Sequence, residues 1–549
     1  MSNDRILRSK KQLTQVKYKT IGEYFWKRLN QLDDNQICMT EATSGLTLTI
    51  GQLKCQANSI AVALIGRGVT KEDRIAFYGQ NSIQHSVLRF MTTFLGLTFM
   101  PLSPTFEKYE VREECQSAGA TIIISSAQDF HKFEWVLDDS CNNNSKAIKL
   151  VVIFDGKHDT HVTFDKLLAE GAGKTLDRYP HFAVNPDTDM FFLIHTSGST
   201  GPPKCAMIPH RAILAGCQET NIFLNFDNID GQVVCAMPFP CGHISGTVMI
   251  PMQVLNGVHL ILFAEFTEES LMRGIEKYKI NVLPAFPSMG RRLIEGDLVG
   301  KYDISSLKGM STGGAAFPGN IAKEIIKKYG IRFREAYGMT EFIWVTGGSD
   351  PNEEFIPGNA GNVAPGCEVK IVDSNTGESL GTNQDGEICV RGNKLFAGYF
   401  NNEKATKAAF DENGWYRTGD IGRYDERERI FITDRLKEVV RIGIGNHYIN
   451  ISPVEIEQYL LTHPSIAEVA VVGVNNKSGT HWPRAYVVLK PNLSDITSTQ
   501  IEKYVSDTLA YTKQLKGGVV FIDGIKRTAI GKVDRKYYRS LVKDEVLNY

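Results

Sequence analysis

Short apolar runs alternate with helical patterns from about residue 74 to residue 340. The runs are 74-RIAFYG, 121-TIIIS, 149-KLVVIFD, 190-MFFLIHT, 233-VVCAMP, 259-HLILF and 334-REAYG. Runs this apolar, with no polar face, predict strands buried on both sides of largely parallel sheets. Between them, 320-NIAKEIIKKYG-330 places Ala322, Ile325, Ile326 and Tyr329 on one helical face and ends at Gly330, a C-cap residue. From about 355 to 433 the texture changes to glycine-punctuated strands, 368-EVKIVD, 386-GEICVRG and 428-ERIFITD, which predict a β-rich subdomain. Beyond residue 434 it changes again. Ser452-Pro453-Val454-Glu455 is a capping box with proline at the first helical position, opening a helix that stops before His463-Pro464. Strands at 466-IAEVAVVGV and 484-RAYVVLK, a helix near 498–511 and a strand at 518-GVVFID complete a compact α+β domain. The charged, glycine-bearing join 434-DRLKEVVRIGIG reads as a linker. The expected division is therefore 1–434 and 435–549, in a doubly wound α/β protein.

With 549 residues, the chain exceeds the size at which one hydrophobic core stops growing, so more than one domain is expected. The formal net charge is -1, from 61 basic and 62 acidic residues, so no global field recruits nucleic acid. Its ten cysteines are scattered, with no CxxC pair, and read as thiols of a reducing compartment. The start MSNDRILRSKKQL lacks the apolar core of a secretory signal. No apolar run reaches transmembrane length; 248-VMIPMQVLNGVHLILF-263 is broken by Pro251, Asn256 and Gly257. The end, Leu-Asn-Tyr, is not a Ser-Lys-Leu peroxisomal address. A cytoplasmic protein without a transmembrane segment is the expectation.

The chemistry begins at 194-IHTSGSTGPPKC-205, a hydroxyl- and glycine-rich turn after a buried strand. Such a turn can wrap phosphate with N–H and O–H donors. It is not the GxxxxGK[ST] loop that opens a helix at its lysine, because Gly198 and Gly201 are too close and Pro202-Pro203 stands where the helix would begin.

The turn resembles the phosphate loop of the adenylate-forming superfamily: acyl-CoA synthetases, 4-coumarate–CoA ligases, insect luciferases and peptide-synthetase adenylation domains. Further stretches match in order: 312-TGGAA-316, 337-YGMTE-341, 386-GEICVRGNKLFAGYFNNEKAT-406, 414-GWYRTGD-420, 434-DRLKEVV-440 and 528-TAIGKVDR-535. The match runs from about 20 to 540, and 515-LKGGVVFID-523 is closest to the luciferase and coumarate branch. The resemblance implies an acid–thiol ligase acting on a small-molecule carboxylic acid, with ATP, Mg²⁺ and CoA. A carboxylate attacks the α-phosphate of ATP, pyrophosphate leaves, and a thiol then displaces AMP from the acyl-AMP. Two anions meet in the first step, so positive charge and donors are needed where charge builds up.

Residue by residue, the resemblance gives Thr196, Ser197, Gly198, Ser199, Thr200, Gly201 and Lys204 to the departing phosphates. Gly313, Gly314 and Ala315 leave room for a flat adenine or the acyl group; Glu335, Ala336, Tyr337, Gly338 and Met339 form the nucleotide motif, with Tyr337 stacking on the base. Thr340 contacts the α-phosphate and Glu341 helps hold Mg²⁺. Asp420 accepts from both ribose hydroxyls, and Arg435 reaches the ribose or phosphate. Lys532 bridges carboxylate and α-phosphate during adenylation. It lies in the C-terminal domain, which the resemblance makes mobile about a hinge at Lys437. Arg441, Gly443 and Gly445 fall on the CoA side.

The chain departs from the pattern at several places. In 238-PFPCGHISG-246, counting from Pro238 puts Cys241 where relatives carry a histidine at the acid, with His243 two residues further. Lys204 is followed by Cys205-Ala206 instead of glycine and a β-branched residue. Arg441 replaces a lysine, and 442-IGIGNHYINISP-453 is longer than in the nearest branch. Phe239, Ile244, Val248 and Met249 are candidates for an apolar acid pocket or for core. A luciferase-type oxygenase and a catalytically retired nucleotide-binding regulatory protein are the alternatives to a ligase. A free-standing peptide-synthetase domain fits less well, because 238–249 holds no aspartate to meet an amino-acid ammonium.

Overall fold

A computed structural model describes residues 5–548 except 12–17, 138–147, 197–203, 218–228, 286–288, 290–292, 295–297, 299, 315–316, 318, 351–352, 374–375, 436–439, 445–446, 452, 478–479, 491–495 and 527–534. The chain divides into two compact units: one of Met1–Pro104, Cys115–Ile194 and Ala206–Leu436, the other of Thr105–Glu114, His195–Cys205 and Lys437–Tyr549.

Three sheets organise the first unit. One seven-stranded sheet runs in the order Lys204–Pro209, Met190–Thr196, Thr98–Pro101, Arg74–Tyr78, Ile122–Ser125, Leu150–Ile153, Val162–Thr163. Strand Arg74–Tyr78 pairs in parallel with both Thr98–Pro101 and Ile122–Ser125, so the chain reverses its direction of travel across the sheet there. A second seven-stranded sheet has the order Arg332–Glu335, Gly309–Thr312, Val282–Ala285, Val234–Met237, His259–Leu262, Ile37–Glu41, Thr47–Thr49. Its reversal is at Val234–Met237, flanked in parallel by His259–Leu262 and Val282–Ala285. The expected α/β class with largely parallel, doubly wound sheets is thus observed, and the apolar runs are these strands. They are apolar throughout because both faces are covered: Ile122, Ile123 and Ile124 are all fully buried. The amphipathic helix is Gly319–Tyr329, and Gly330 follows with φ +62°.

The third sheet is antiparallel and five-stranded: Leu7–Arg8, Cys367–Val372, Gly386–Gly392, Tyr416–Tyr424 and Ile430–Arg435. It is the β-rich body read from the glycine-punctuated strands, with an N-terminal edge strand added.

The second unit contains a four-stranded sheet in the order Val519–Phe521, His481–Leu489, Ile466–Asn476, Val546–Leu547, with helices Pro453–Leu460, Ser498–Ser506 and Arg535–Leu541. The capping serine at 452 lies outside the described residues. The two units divide inside the expected linker at 434–445, after Leu436, and its described residues are strand. Ile430–Arg435 extends into it, and Val440–Ile444 pairs antiparallel with His447–Ile451. The reason is a period-two pattern that the charges obscured: Val440 and Ile442 alternate inward and are buried. Among the described residues, no helix is long and apolar enough to cross a membrane.

Candidate active site

Parallel strands deliver their carboxyl ends to one edge, and in open α/β sheets ligands bind there, beside the reversal point. In the second sheet this edge gathers the predicted motifs. Thr312 is in register with Glu335, so the turn at Gly313 and the segment from Ala336 emerge side by side. Ala336 N donates to Thr312 O at 2.9 Å. Gly314 has φ +75°, and a Cβ there would meet nothing within 4 Å. The turn therefore needs glycine for its backbone and leaves open space above it. Ala315 lies outside the described residues.

The segment Tyr337–Val345 folds back on itself. Val345 N donates to Tyr337 O at 3.0 Å and Met339 N to Phe342 O at 3.0 Å. Tyr337 N donates to Thr346 Oγ1 at 2.8 Å. Gly338 sits at the tightest point, where a Cβ would lie 2.3 Å from Ile343 O. Thr340 and Glu341 ride on the turn, both half-buried.

Two carboxylates from distant motifs are fixed here by tyrosines. Tyr337 OH donates to Asp420 Oδ2 at 2.6 Å, with both residues buried. Tyr399 OH donates to Glu341 Oε1 at 2.9 Å, and Phe396 N holds the Glu341 carbonyl at 2.9 Å. Burial, followed by the nearby Glu341 charge, raises the hydroxyl pKa of both Tyr399 and Tyr416, so both remain protonated donors. Asp420 lies in Tyr416–Tyr424 opposite Arg435, one residue before a register shift. Tyr399 lies inside the 386–406 stretch, and its role is set by tertiary contact. An aromatic in a glycine-rich stretch, A-G-Y, was the available signal.

Glu335 ends its strand buried at 6% exposure. Burial drives its carboxyl up to about 7, against backbone donation from Gly358 and Phe317. Its Oε1 has no hydrogen-bond partner among the described residues. Among the described residues no group of three or more side chains could hold a metal alone. Glu341 fits Mg²⁺ only as one ligand beside phosphate oxygens, a usual arrangement for that ion.

The second sheet's reversal strand, Val234–Met237, runs into 238-PFPCGHISG-246. His243 is the N-cap of helix Ile244–Leu255; its Nδ1 accepts from Ser245 N at 3.2 Å and lies 3.1 Å from Ser245 Oγ. A ring nitrogen that accepts carries no proton, so the neutral imidazole carries its proton on Nε2. The ring is exposed by area, yet dense protein around it pushes its pKa down to about 4. His243 thus keeps exposed surface although protein surrounds it. Cys241 is different: it is buried, its Sγ donates to Gly79 O at 3.3 Å, and burial raises the thiol to about 11. It is a packed thiol, not a histidine substitute. Phe239, Val248 and Met249 belong to the main core, while Ile244 is half-buried against it.

Thr196 and Lys204 end and begin strands, with Thr196 Oγ1 donating to Lys204 O at 3.3 Å. Residues 197–203 between them, with Ser197, Gly198, Ser199, Thr200 and Gly201, lie outside the described residues, as do Lys437, Gly445 and Lys532. Cys205 and Ala206 are buried strand residues, and Ala206 bridges Tyr399. Nothing in the structure explains the Cys205-Ala206 departure. Arg441 and Gly443 lie on the hairpin opposite Asn450 and Tyr448.

The AMP-binding enzyme model matches residues 25–400, and the AMP-binding enzyme C-terminal domain matches 455–532. The chain belongs to the AMP-binding enzyme family. It is 29% identical to 4-coumarate-CoA ligase 1 of Narcissus pseudonarcissus, over 96% of this chain and 94% of that one. It is also 29% identical to luciferin 4-monooxygenase of Photinus pyralis, over 95% and 94% of the two chains. The amide bond synthetase McbA of Marinactinospora thermotolerans shares its fold, with a TM-score of 0.80 at 22% identity over 96% of this chain and 100% of that one. These likenesses make the chain a member of the adenylate-forming superfamily.

Proposed function

We propose that the protein is an ATP-dependent carboxylate–CoA ligase that activates a hydrophobic acid, fatty or aromatic, as acyl-AMP and passes the acyl group to CoA. The observation that carries the reading is the pairing of Asp420 with Tyr337 and of Glu341 with Tyr399 beside the open Gly314 turn. A nucleotide seated there meets an acceptor for its ribose hydroxyls at Asp420. Glu341 would hold Mg²⁺ together with phosphate oxygens, and the ion supplies charge neutralisation when two anions approach.

In this reading the acid binds at His243. Counted from Pro240 rather than Pro238, His243 is the histidine three residues on, which removes the first departure. Its neutral ring offers Nε2–H to the acid carboxylate without holding it as an ion pair. The carboxylate oxygen attacks the α-phosphorus and the P–O bond to pyrophosphate breaks. Thr196, Lys204 and residues 197–203 receive the departing phosphates, and Lys532 bridges the two reacting anions. In the second step CoA sulfur attacks the acyl carbon, the acyl–phosphate bond breaks, and AMP leaves; the family resemblance assigns Arg441 and Gly443 to this step.

ATP–pyrophosphate exchange with a panel of fatty and aromatic acids, with and without CoA, tests the reading. Acid-stimulated exchange and a CoA ester are expected. A chain that binds ATP but shows no exchange with any acid is a retired nucleotide-binding protein, and the ligase reading falls. The equal likeness to a luciferin 4-monooxygenase favours one second reading, an oxygenase acting on the adenylate. Adenylate-dependent oxygen uptake without CoA ester would establish it instead.

A further inference from the structure

The segment carrying His243 is held from one side by a single buried helix, Ile83–Leu95, capped by Ser82 and ended by Gly96 at φ +80°. Just ahead of the cap, Asn81 Oδ1 accepts from Cys241 N at 2.9 Å, and Asn81 Nδ2 donates to Phe239 O at 2.9 Å. Two turns on, Arg89 is 4% exposed. Its guanidinium lies over Phe99, 5.4 Å from the ring centre, and no ion pair to a carboxylate joins it among the described residues. A buried cation without a counter-ion is costly unless acceptors meet it. Arg89 meets backbone: Nη1 donates to Gly246 O at 3.4 Å and Nη2 donates to Thr247 O.

Thr247 O is the carbonyl that needs an outside donor. In a helix it would accept from the N–H of the residue four positions on, which here is Pro251. Proline has no N–H, so Ile244–Leu255 carries an unmet carbonyl in its first turn. Thr247 is also the residue that fastens His243. Thr247 N donates to His243 O at 2.9 Å, and Thr247 Oγ1 donates to Cys241 O at 2.7 Å. The neighbouring backbone has no slack: a Cβ at Gly242 would stand 2.1 Å from Leu102 O, and one at Gly246 2.3 Å from Pro240 O.

We propose that Arg89 is a positioning residue for His243: it supplies Thr247 with the hydrogen bond that Pro251 withholds, fixes the first turn of Ile244–Leu255, and so sets how His243 receives the acid. The inference rests on the reading that His243 meets the acid. Arg89 touches no substrate; it acts through Thr247.

Restoring the missing donor should compensate for losing the arginine. Full-length wild type, Arg89→Met, Arg89→Lys, Pro251→Ala and the double variant Arg89→Met/Pro251→Ala are compared. Acid-dependent pyrophosphate release gives KM for the acid and for ATP separately. Arg89→Met is expected to raise KM for the acid about tenfold and leave KM for ATP within about twofold. The double variant regains a backbone N–H at position 251 that can reach Thr247 O. It is expected to recover most of that loss, and Arg89→Lys to fall between. Equal changes in both KM values, or no recovery on adding Pro251→Ala, would overturn the proposal. Should Arg89→Met fail to fold, recovery of folding in the double variant supports it, and a normal acid KM in Arg89→Lys alongside an unfolded double variant overturns it. Should no acid be a substrate of wild type, the function falls separately. The His243 ring titration by NMR then decides positioning: an upward move in Arg89→Met reversed by Pro251→Ala is expected, and an unmoved ring overturns it.

Discussion

Replacing Glu335 by glutamine should abolish a pH dependence of stability that this one carboxyl imposes. Glu335 is 6% exposed, its Oε1 is unpartnered among the described residues, and burial raises its pKa from 4.5 to about 7. The unfolded chain leaves it near the ordinary value. Between those two pH values the folded protein holds a proton that the unfolded chain has released, so raising pH favours unfolding. The stability is fully present below about 4.5, is lost as pH climbs to about 7, and is constant above that. The whole loss amounts to about 3 kcal/mol, at about 1.4 kcal/mol per pKa unit. Glutamine keeps an acceptor for the Gly358 and Phe317 amides but cannot ionise. Its NH₂ adds buried donors at a cost of about 1–3 kcal/mol, which shifts the variant's curve without tilting it. The assay is denaturant unfolding of both proteins at several pH values between about 5 and 8. The stability of Glu335→Gln relative to wild type should rise by about 2.5 kcal/mol across that range. Parallel curves, with a difference constant to about 0.5 kcal/mol, would refute the account of a desolvated acid.

Tyr337→Phe removes the 2.6 Å hydrogen bond to Asp420 and should raise KM for ATP about tenfold while sparing KM for the acid; steady-state kinetics decide. Gly338→Ala forces a Cβ to within 2.3 Å of Ile343 O and should cost about 1–3 kcal/mol with a loss of adenylation, read by thermal unfolding and pyrophosphate exchange. Lys532→Ala should nearly abolish adenylation yet spare thioester formation from supplied acyl-AMP; equal loss of both would contradict separate roles for the C-terminal lysine in the two steps.

The strand pattern was legible because burial on both faces leaves a strand no choice but apolar residues, as in 122-III-124. Helix Gly319–Tyr329 and its glycine stop were legible for the same local reason: spacing and termination are written within a few residues. The hairpin at Val440–Ile451 was not, because the short period-two run directly follows the charged stretch 434–441 and has Gly443 and Gly445 at its alternate positions. Among the candidate site residues, the resemblance of the motifs to those of the adenylate-forming superfamily selected Asp420, Glu341 and Tyr337. It could not say that Tyr337 and Tyr399 are what hold the two carboxylates, since those pairs join residues far apart in sequence.

By itself the sequence determined the α/β class, the adenylate-forming motifs and their order, because each depends on residues close together in the chain. Tertiary structure decided the rest at residues 238–247. There Cys241 becomes a packed thiol, His243 becomes an exposed helix cap, and Arg89 becomes the donor that answers Pro251. Those roles follow from which unmet backbone group each side chain reaches, and that is fixed only when distant segments are packed together.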